Sequence, residues 1–538
     1  MISGAEIMVK CLEAEGVDIV FGYPGAAICP FYDKVYDSSI THILVRQEQN
    51  AAHAASGYAR CSNRPGVCVA TSGPGATNLI TGIATAYTIP IVAITGQVRS
   101  DLLGRDVFQG ADITGACEPV VKHSYLVSKT EDLPRVFKEA FHIASTGRPG
   151  PVLIDIPVDI QENEIESFEY PESVNIIGYK PNTKGHAIQV KKAVEAINAS
   201  KRPVIVSGGG VLSSGIKLKL QKFAETTGIP VISTMMGIGV MPSEHELYLG
   251  MLGTHGKAVA NRALHEADLV IVCGARLGDR AVAAPDQMSE NTKVIHIDID
   301  PAEIGKNVKT EIPIVGDMKN VINMLLDSIG EYKVTTMLSE TVKNWKKDLY
   351  REPPVFDGFV EPRTLVGHLS AMFRSKAILV ADVGQNQIWC ANNFRIREGR
   401  FLTTGGMGTM GYSIPAAIGA KFARPDRDVI VICGDGSFQM GLNELATIAG
   451  NQLGIKIIIM KNARLGMVRE LQDKHYGGRH SATILNGDPD FLKIADAYGI
   501  DHAEAHSNKE AENIIKGIVD SEKPFILVCD VHPDTPSI

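Results

Sequence analysis

A chain of 538 residues, 44% hydrophobic and 21% charged, is too long for one core and fits roughly three soluble globular domains. A net charge of −8 without a long basic run argues against nucleic acid or an anionic membrane as the main partner. Nine cysteines, dispersed and without a Cys-x-x-Cys pair, argue against a zinc site or a disulfide framework and fit a reducing cytoplasm.

The first element, MISGAEIMVKCLEAEGVD, carries apolar residues at helical spacing and lacks a basic n-region and an apolar h-region. It predicts an amphipathic helix and not a signal peptide. DIVFGYPG, HILVRQE, GVCVATSGPG, PIVAITG and PVLIDIP follow in the first third as short apolar runs between helical patterns. The most apolar stretch, LITGIATAYTIPIVAITG, is broken by Thr, Tyr, Gly and Pro, so it reads as helix then strand, and no membrane span is predicted. PVIVSGGG, DLVIVCGA and KVIHIDID come next, then AILVADVG, VIVICGDG and KIIIMKN.

Strands apolar on both faces and separated by helices predict an α/β fold of three doubly wound parallel-sheet domains. Two polar, Pro-containing stretches, 161–185 and 339–362, read as linkers. The expected domains are therefore 1–165, 186–338 and 358–538.

VIVICGDGSF, residues 429–438, ends a core strand in a carboxylate flanked by glycines. The next strand, in GIKIIIMKN, ends in Asn462. A right-handed crossover places Asp435 and Asn462 at one carboxyl edge, where doubly wound sheets bind ligands. The N–H groups of Gly436 and Ser437, where a helix begins, favour an anion. A carboxylate, an amide oxygen and a loop carbonyl suit Mg²⁺, with phosphate oxygens completing its shell. Alone, a Gly-Asp-Gly tip is also an ordinary turn.

Asn462 stands 27 positions after Asp435, a spacing that resembles the cofactor motif of thiamin-diphosphate enzymes. That resemblance implies Mg²⁺ bound by Asp435, Asn462 and the Arg464 carbonyl. ILVRQEQNAAHAASGYAR resembles the family's activating-glutamate motif and implies that Glu48 hydrogen-bonds N1′ of the cofactor's aminopyrimidine. A buried carboxyl shares a proton with that nitrogen and promotes loss of the thiazolium C2 proton. In GGMGTMGYSIPAAIGA, Met410 matches the apolar support beneath the bent cofactor, and Gly408 the pyrimidine contact. In GQNQIW, Gln385 and Asn386 fall where the family contacts diphosphate; Asn386 replaces a frequent histidine.

The middle third, in GMLGTHGKAVANRALHEADLVIVCGARLGDR and HIDIDPAEIGKNVKTEIPIVGD, resembles acetohydroxyacid (acetolactate) synthase catalytic subunits. GYPGAA, TSGPGATN, DVFQG, GRPGPVLIDIP and LGMVRE carry the likeness nearly end to end. The resemblance implies pyrimidine-binding, FAD-binding-like and diphosphate-binding domains, in that order. It implies FAD without redox work, contacted by Arg148, by residues from His255 to Arg276, and by residues from Asp298 to Asp317. It also implies decarboxylation of pyruvate and joining to a second 2-keto acid, giving 2-acetolactate or 2-aceto-2-hydroxybutyrate for branched-chain amino acid biosynthesis. The implied assembly is a homodimer or tetramer with each site built across two subunits, and the family admits a small regulatory subunit.

By the same correspondence Gln109 lies near the reacting centre, the Ala26 N–H stabilises oxyanion charge, Arg280 meets the acceptor carboxylate, and Phe108 lines the channel. Three positions depart from the family. Leu471 stands where many members carry a tryptophan that favours 2-ketobutyrate, Val158 replaces a common channel lysine, and VHPDTPSI falls short of the usual C-terminal tail. Rival readings are another thiamin-diphosphate 2-keto acid decarboxylase or carboligase, and a catalytically silent regulatory paralogue. A silent paralogue is expected to lose Glu48, Asp435 or Asn462, and all three stand.

Overall fold

Strands that are apolar on both faces can only be satisfied inside a sheet covered by helices on both sides. The computed structural model describes residues 1–282, 292–330, 344–345, 347, 349, 352–487 and 489–538. It places such strands in three six-stranded sheets, all parallel. The first holds β1 (Ile19–Gly22), β2 (Thr41–Leu44), β3 (Gly66–Ala70), β4 (Ile91–Gln97), β5 (His123–Leu126) and β6 (Val152–Pro157). The second holds β7 (Pro203–Ser207), β8 (Val231–Ser233), β9 (Tyr248–Met251), β10 (Leu269–Cys273), β11 (Lys293–Asp298) and β12 (Ile312–Val315). The third holds β13 (Ile378–Ala381), β14 (Arg400–Leu402), β15 (Val429–Gly434), β16 (Ile455–Lys461), β17 (Asp501–Ala505) and β18 (Phe525–Asp530).

The first and third sheets share one winding order: β2-β1-β3-β4-β6-β5 and β14-β13-β15-β16-β18-β17. The middle sheet is wound β9-β8-β7-β10-β11-β12, the order of dinucleotide-binding sheets. Within the stretch expected to link the first two domains, Glu164–Ile165 pairs antiparallel with Ile2–Ser3 and so returns to the first unit. Part of the 339–362 stretch, like the end of the expected 186–338 domain, lies outside the described residues. Among the described residues no helix is long and apolar enough to cross a membrane.

Six helices position the site: α1 (Glu48–Ser62), α2 (Gln385–Asn393), α3 (Ser413–Ala423), α4 (Asp435–Gly441), α5 (Leu445–Gly450) and α6 (Gly466–Tyr476). The small residues of α1 let α3 approach to backbone contact. A Cβ on Gly57 would collide with the Ala416 carbonyl, and one on Gly419 with the Ala54 carbonyl. One apolar cluster, from Phe21 and Ala51 to Ile414 and Val431, therefore runs through both units.

Candidate active site

β15 and β16 lie side by side in register, Gly434 opposite Met460; Asp435 directly follows the end of β15 and Asn462 the end of β16, one residue further along, so the two stand at adjacent strand tips. Asp435 is buried. Its Oδ2 accepts from the backbone N–H of Asn462 at 2.9 Å and of Ala463 at 2.6 Å, while Oδ1 accepts from Gly436 N–H at 2.9 Å. Ala463 has φ +52°, a left-handed conformation that turns the chain sharply just after the strand tip. Asn462 Oδ1 accepts from Arg464 N–H at 3.1 Å, and its Nδ2 donates to Gln385 Oε1 at 2.9 Å. Asp435 and Asn462 thus stand together, and a carboxylate beside an amide oxygen is donor chemistry that suits a hard cation.

The expected phosphate donors are arranged differently. Gly436 N–H is held by Asp435, and Ser437 Oγ folds back on Gly434, accepting from its N–H at 3.0 Å. Asn386 spends its Nδ2 on the carbonyls of Asp382 at 2.7 Å and Ile432 at 3.3 Å, which stitches two strand tips. Gln385 Nε2 donates to Glu470 Oε1 at 2.7 Å and to the Thr535 carbonyl at 2.8 Å. The C-terminal residues cover this corner: Ser537 donates twice to the Glu470 carboxylate, and Trp389 Nε1 donates to the Pro536 carbonyl.

Met410 comes to the same place from the loop before α3. Its Cε lies 3.7 Å from where a Cβ on Gly436 would stand, while Gly408 (φ +69°) faces open space. That loop is held by Asp382, a residue not singled out from the sequence. Its carboxylate, buried at the tip of β13, accepts from Gly411 N–H at 3.0 Å and Ser413 N–H at 2.8 Å. Burial pushes the Asp382 carboxyl up to about 6, against the opposing pull of those N–H groups. The signal was there in AILVADVG, an aspartate at a strand tip like that of VIVICGDG.

Glu48 begins α1 at the carboxyl edge of the first sheet. It is half-buried in the single chain, where a buried carboxyl was expected, and Oε2 accepts from Asn78 Nδ2 at 3.0 Å. Gln109, at φ +58°, packs its Cβ against Gly73. Gln97 ties this neighbourhood to a buried acid: its Nε2 donates to Asp155 Oδ2 at 2.9 Å and to the Ala111 carbonyl at 2.8 Å. Burial pushes Asp155 up to about 7. Ala26 and Phe108 are exposed, and the Arg280 side chain is 73% exposed beside Asp279. Leu471 is half-exposed on α6, and Val158 opens the short helix Val158–Glu162.

Arg148, from the first unit, bridges to Asp300 at 3.3 Å and Glu303 at 2.7 Å of the middle unit, and its guanidinium stands 4.8 Å from the centre of the Tyr87 ring. Among the described residues its Nη2 is buried without a partner. Arg276 lies on the same ring at 6.0 Å. Asp298 ends β11, with its carboxyl pushed up to about 6 by burial, and Asp317 caps the helix Met318–Ser328. His255 is half-buried, its carbonyl accepting from Asn392 Nδ2 at 2.7 Å. A different cluster, Glu504, His506 and Asp530, has metal-ligand spacing, but Lys461 Nζ already lies 3.6 and 3.2 Å from its two carboxylates.

Three family profiles match the chain: thiamine pyrophosphate enzyme N-terminal TPP binding domain over residues 2–116, central domain over 190–325, and C-terminal TPP binding domain over 382–529. The probable acetolactate synthase large subunit of Methanocaldococcus jannaschii is 47% identical, covering 99% of this chain and 92% of its own length. The chain belongs to the acetolactate synthase family of thiamine pyrophosphate enzymes. The acetolactate synthase large subunits of Haemophilus influenzae and Corynebacterium glutamicum are 45% and 46% identical, each over 93% of this chain and over 89% and 82% of their own lengths. Each family match falls on one of the three parallel sheets; β5 and β6 lie beyond the N-terminal match, and β13 lies just before the C-terminal one.

Proposed function

We propose that this chain is the catalytic subunit of an acetolactate synthase, acting on two molecules of pyruvate, or on pyruvate and 2-ketobutyrate. The observation that carries this reading is the likeness to acetolactate synthase large subunits along 99% of the chain. Bound thiamin diphosphate supplies the carbanion chemistry that removes carbon dioxide from one 2-keto acid and joins the two-carbon remainder to the carbonyl of another.

The protein's own groups have separable tasks. Asp435, the Asn462 amide oxygen and the Arg464 carbonyl would hold Mg²⁺; the all-oxygen donor set supports this. Gln385, with Asn386 behind it, orients the diphosphate end, and Met410 and Gly408 support the bend of the cofactor. Glu48 holds the proton at the ring nitrogen and returns it, which requires a hydrogen bond of about 2.6–3.2 Å. Gln109, the Ala26 N–H and Arg280 are assigned to the substrates, Arg280 by bidentate pairing with the acceptor carboxylate. The exposure of Arg280 and half-exposure of Glu48 support a site completed by a second copy, in a homodimer or tetramer. Arg148, His255, Arg276, Asp298 and Asp317 would hold FAD; the unpartnered Nη2 of Arg148 suits a phosphate or flavin oxygen. A small regulatory subunit fits the "large subunit" name of the relatives. Nine free thiols, eight of them buried, support the cytoplasm as the compartment.

Pyruvate consumption with colorimetric detection of acetolactate, in the presence of thiamin diphosphate and Mg²⁺, tests the reading. Acetolactate is the expected product. Its absence from protein that has bound the cofactor would remove the proposal.

A further inference from the structure

The turn that carries Glu48 is tied to its own domain by Val45 N–H to the Gly22 carbonyl at 3.2 Å and by Asn78 to Glu48, but it is also held from another. Gln47, the cap residue of α1, makes no side-chain capping bond. The support comes from the third unit, from the 3-10 turn Leu442–Glu444 and from α5. Glu444 Oε1 accepts from Arg46 N–H at 2.8 Å and from Asn50 Nδ2 at 2.9 Å. Asn50 Nδ2 also reaches Asn443 Oδ1 at 3.3 Å. Thr447 Oγ1 donates to Glu444 Oε2 at 2.6 Å and lies 3.2 Å from the Leu44 carbonyl. Glu444, Thr447 and Asn50 are buried.

The partners described for Glu444 are the Arg46 N–H, the Asn50 amide and the Thr447 hydroxyl, none of them a cation, so hydrogen bonds offset its desolvation. Those bonds bracket Glu48, two residues before it and two after. A buried carboxylate used in this way sets a backbone position, which an apolar side chain of the same volume cannot do.

We infer that Glu444, with Thr447, is a positioning residue for the reaction: it fixes the strand-to-helix turn so that the Glu48 carboxylate meets the cofactor ring at hydrogen-bonding distance. This rests on the assignment of Glu48 as the activating acid. Asp435 opens the run of helical turns in which Glu444 and Thr447 lie, so the same stretch of chain serves the proposed metal at its start and the Glu48 turn further along. A displacement of about 1 Å in such a group costs on the order of a hundredfold in rate.

The test uses the full chain loaded with thiamin diphosphate and Mg²⁺, and reads three things: exchange of the thiazolium C2 proton for deuterium by NMR, cofactor dissociation constant by calorimetry, and cooperative melting. Glu444→Ala and Thr447→Val are each expected to slow exchange by about tenfold or more, with the dissociation constant within about threefold of the parent. Glu444→Gln keeps an acceptor oxygen for Arg46 N–H and is expected to exchange within about threefold of the parent. Should Glu444→Ala fail to melt cooperatively, Thr447→Val decides. Parental exchange in a folded, loaded Glu444→Ala or Thr447→Val, or a loss of cofactor affinity that matches the loss of exchange, overturns the inference. Glu48→Gln runs alongside. Slow exchange there with parental exchange in the other two sinks the inference alone, whereas parental exchange in Glu48→Gln sinks the Glu48 assignment and the inference together.

Discussion

The tips of the third sheet and the turn at the edge of the first are built on opposite plans. Asp435 is buried, and every hydrogen bond described for it here comes from its own or the adjacent strand tip. Glu48 is half-buried, and the backbone around it is held by residues almost 400 positions away in sequence. The half proposed to grip metal and diphosphate is preorganised within one sheet, while the half proposed to move a proton depends on neighbouring units. A binding group gains from rigidity in its own fold; a proton-transfer group must be set against something outside it.

The sharpest way to break this contrast is Glu48→Gln. It is expected to leave thiamin diphosphate bound and to slow C2 proton exchange by about 10²–10⁴-fold, seen by deuterium exchange. Normal exchange would place the activating group elsewhere.

Asp435→Ala attacks the other half. It removes the proposed metal carboxylate and leaves the N–H groups of Asn462 and Ala463 without their acceptor, a cost of about 1–3 kcal/mol per buried group. Mg²⁺-dependent retention of the cofactor on gel filtration should fall by about tenfold or more. Retention equal to that of the parent would mean the metal sits at other residues.

Asp382→Asn probes the loop that carries Met410. The folded carboxyl titrates at about 6, above the ordinary value near 4, so the folded state binds the proton more tightly. Its contribution is full below about pH 4 and is lost as pH rises through about 6. Parent stability relative to Asp382→Asn should therefore fall across that window by about 2–3 kcal/mol, measured by denaturant melts at a series of pH values. A flat difference would mean the carboxyl is charged throughout.

The smallest effect belongs to Leu471→Trp. Restoring the tryptophan common in the family should raise 2-aceto-2-hydroxybutyrate over acetolactate by about 1–3 kcal/mol or less in a pyruvate and 2-ketobutyrate competition. An unchanged product ratio would show that the half-exposed position does not touch the acceptor.

What the sequence made legible follows from what is local. Central strands such as β3, β10 and β15 announced themselves as short runs apolar on both faces, whereas the edge strands β5 and β17, HSYL and DHAEA, did not; the crossover rule placed Asp435 beside Asn462 before any coordinates. Asp382 had a legible signal too, an aspartate at a strand tip, but without a spaced partner it was not singled out. Glu444 had none. Its role exists only through hydrogen bonds to Arg46 and Asn50, which lie 398 and 394 positions away, and no periodicity encodes that. The donors of Asn386 and Gly436 were expected to face phosphate, yet strand-tip carbonyls and Asp435 take them, because a buried N–H must be satisfied wherever the nearest acceptor stands.

The backbone contact between α1 and α3 has a practical corollary for anyone recombining this enzyme with its relatives. Gly57 and Gly419 leave no room for even a methyl group against the opposing carbonyls, so the outer two units form a matched pair. A chimera that swaps one of them while keeping the other inherits whatever small-residue pattern its donor carries, and a single alanine at either seam would pry the halves apart. Crossover points for shuffling therefore belong at the borders of the central unit, with both flanks taken from one parent.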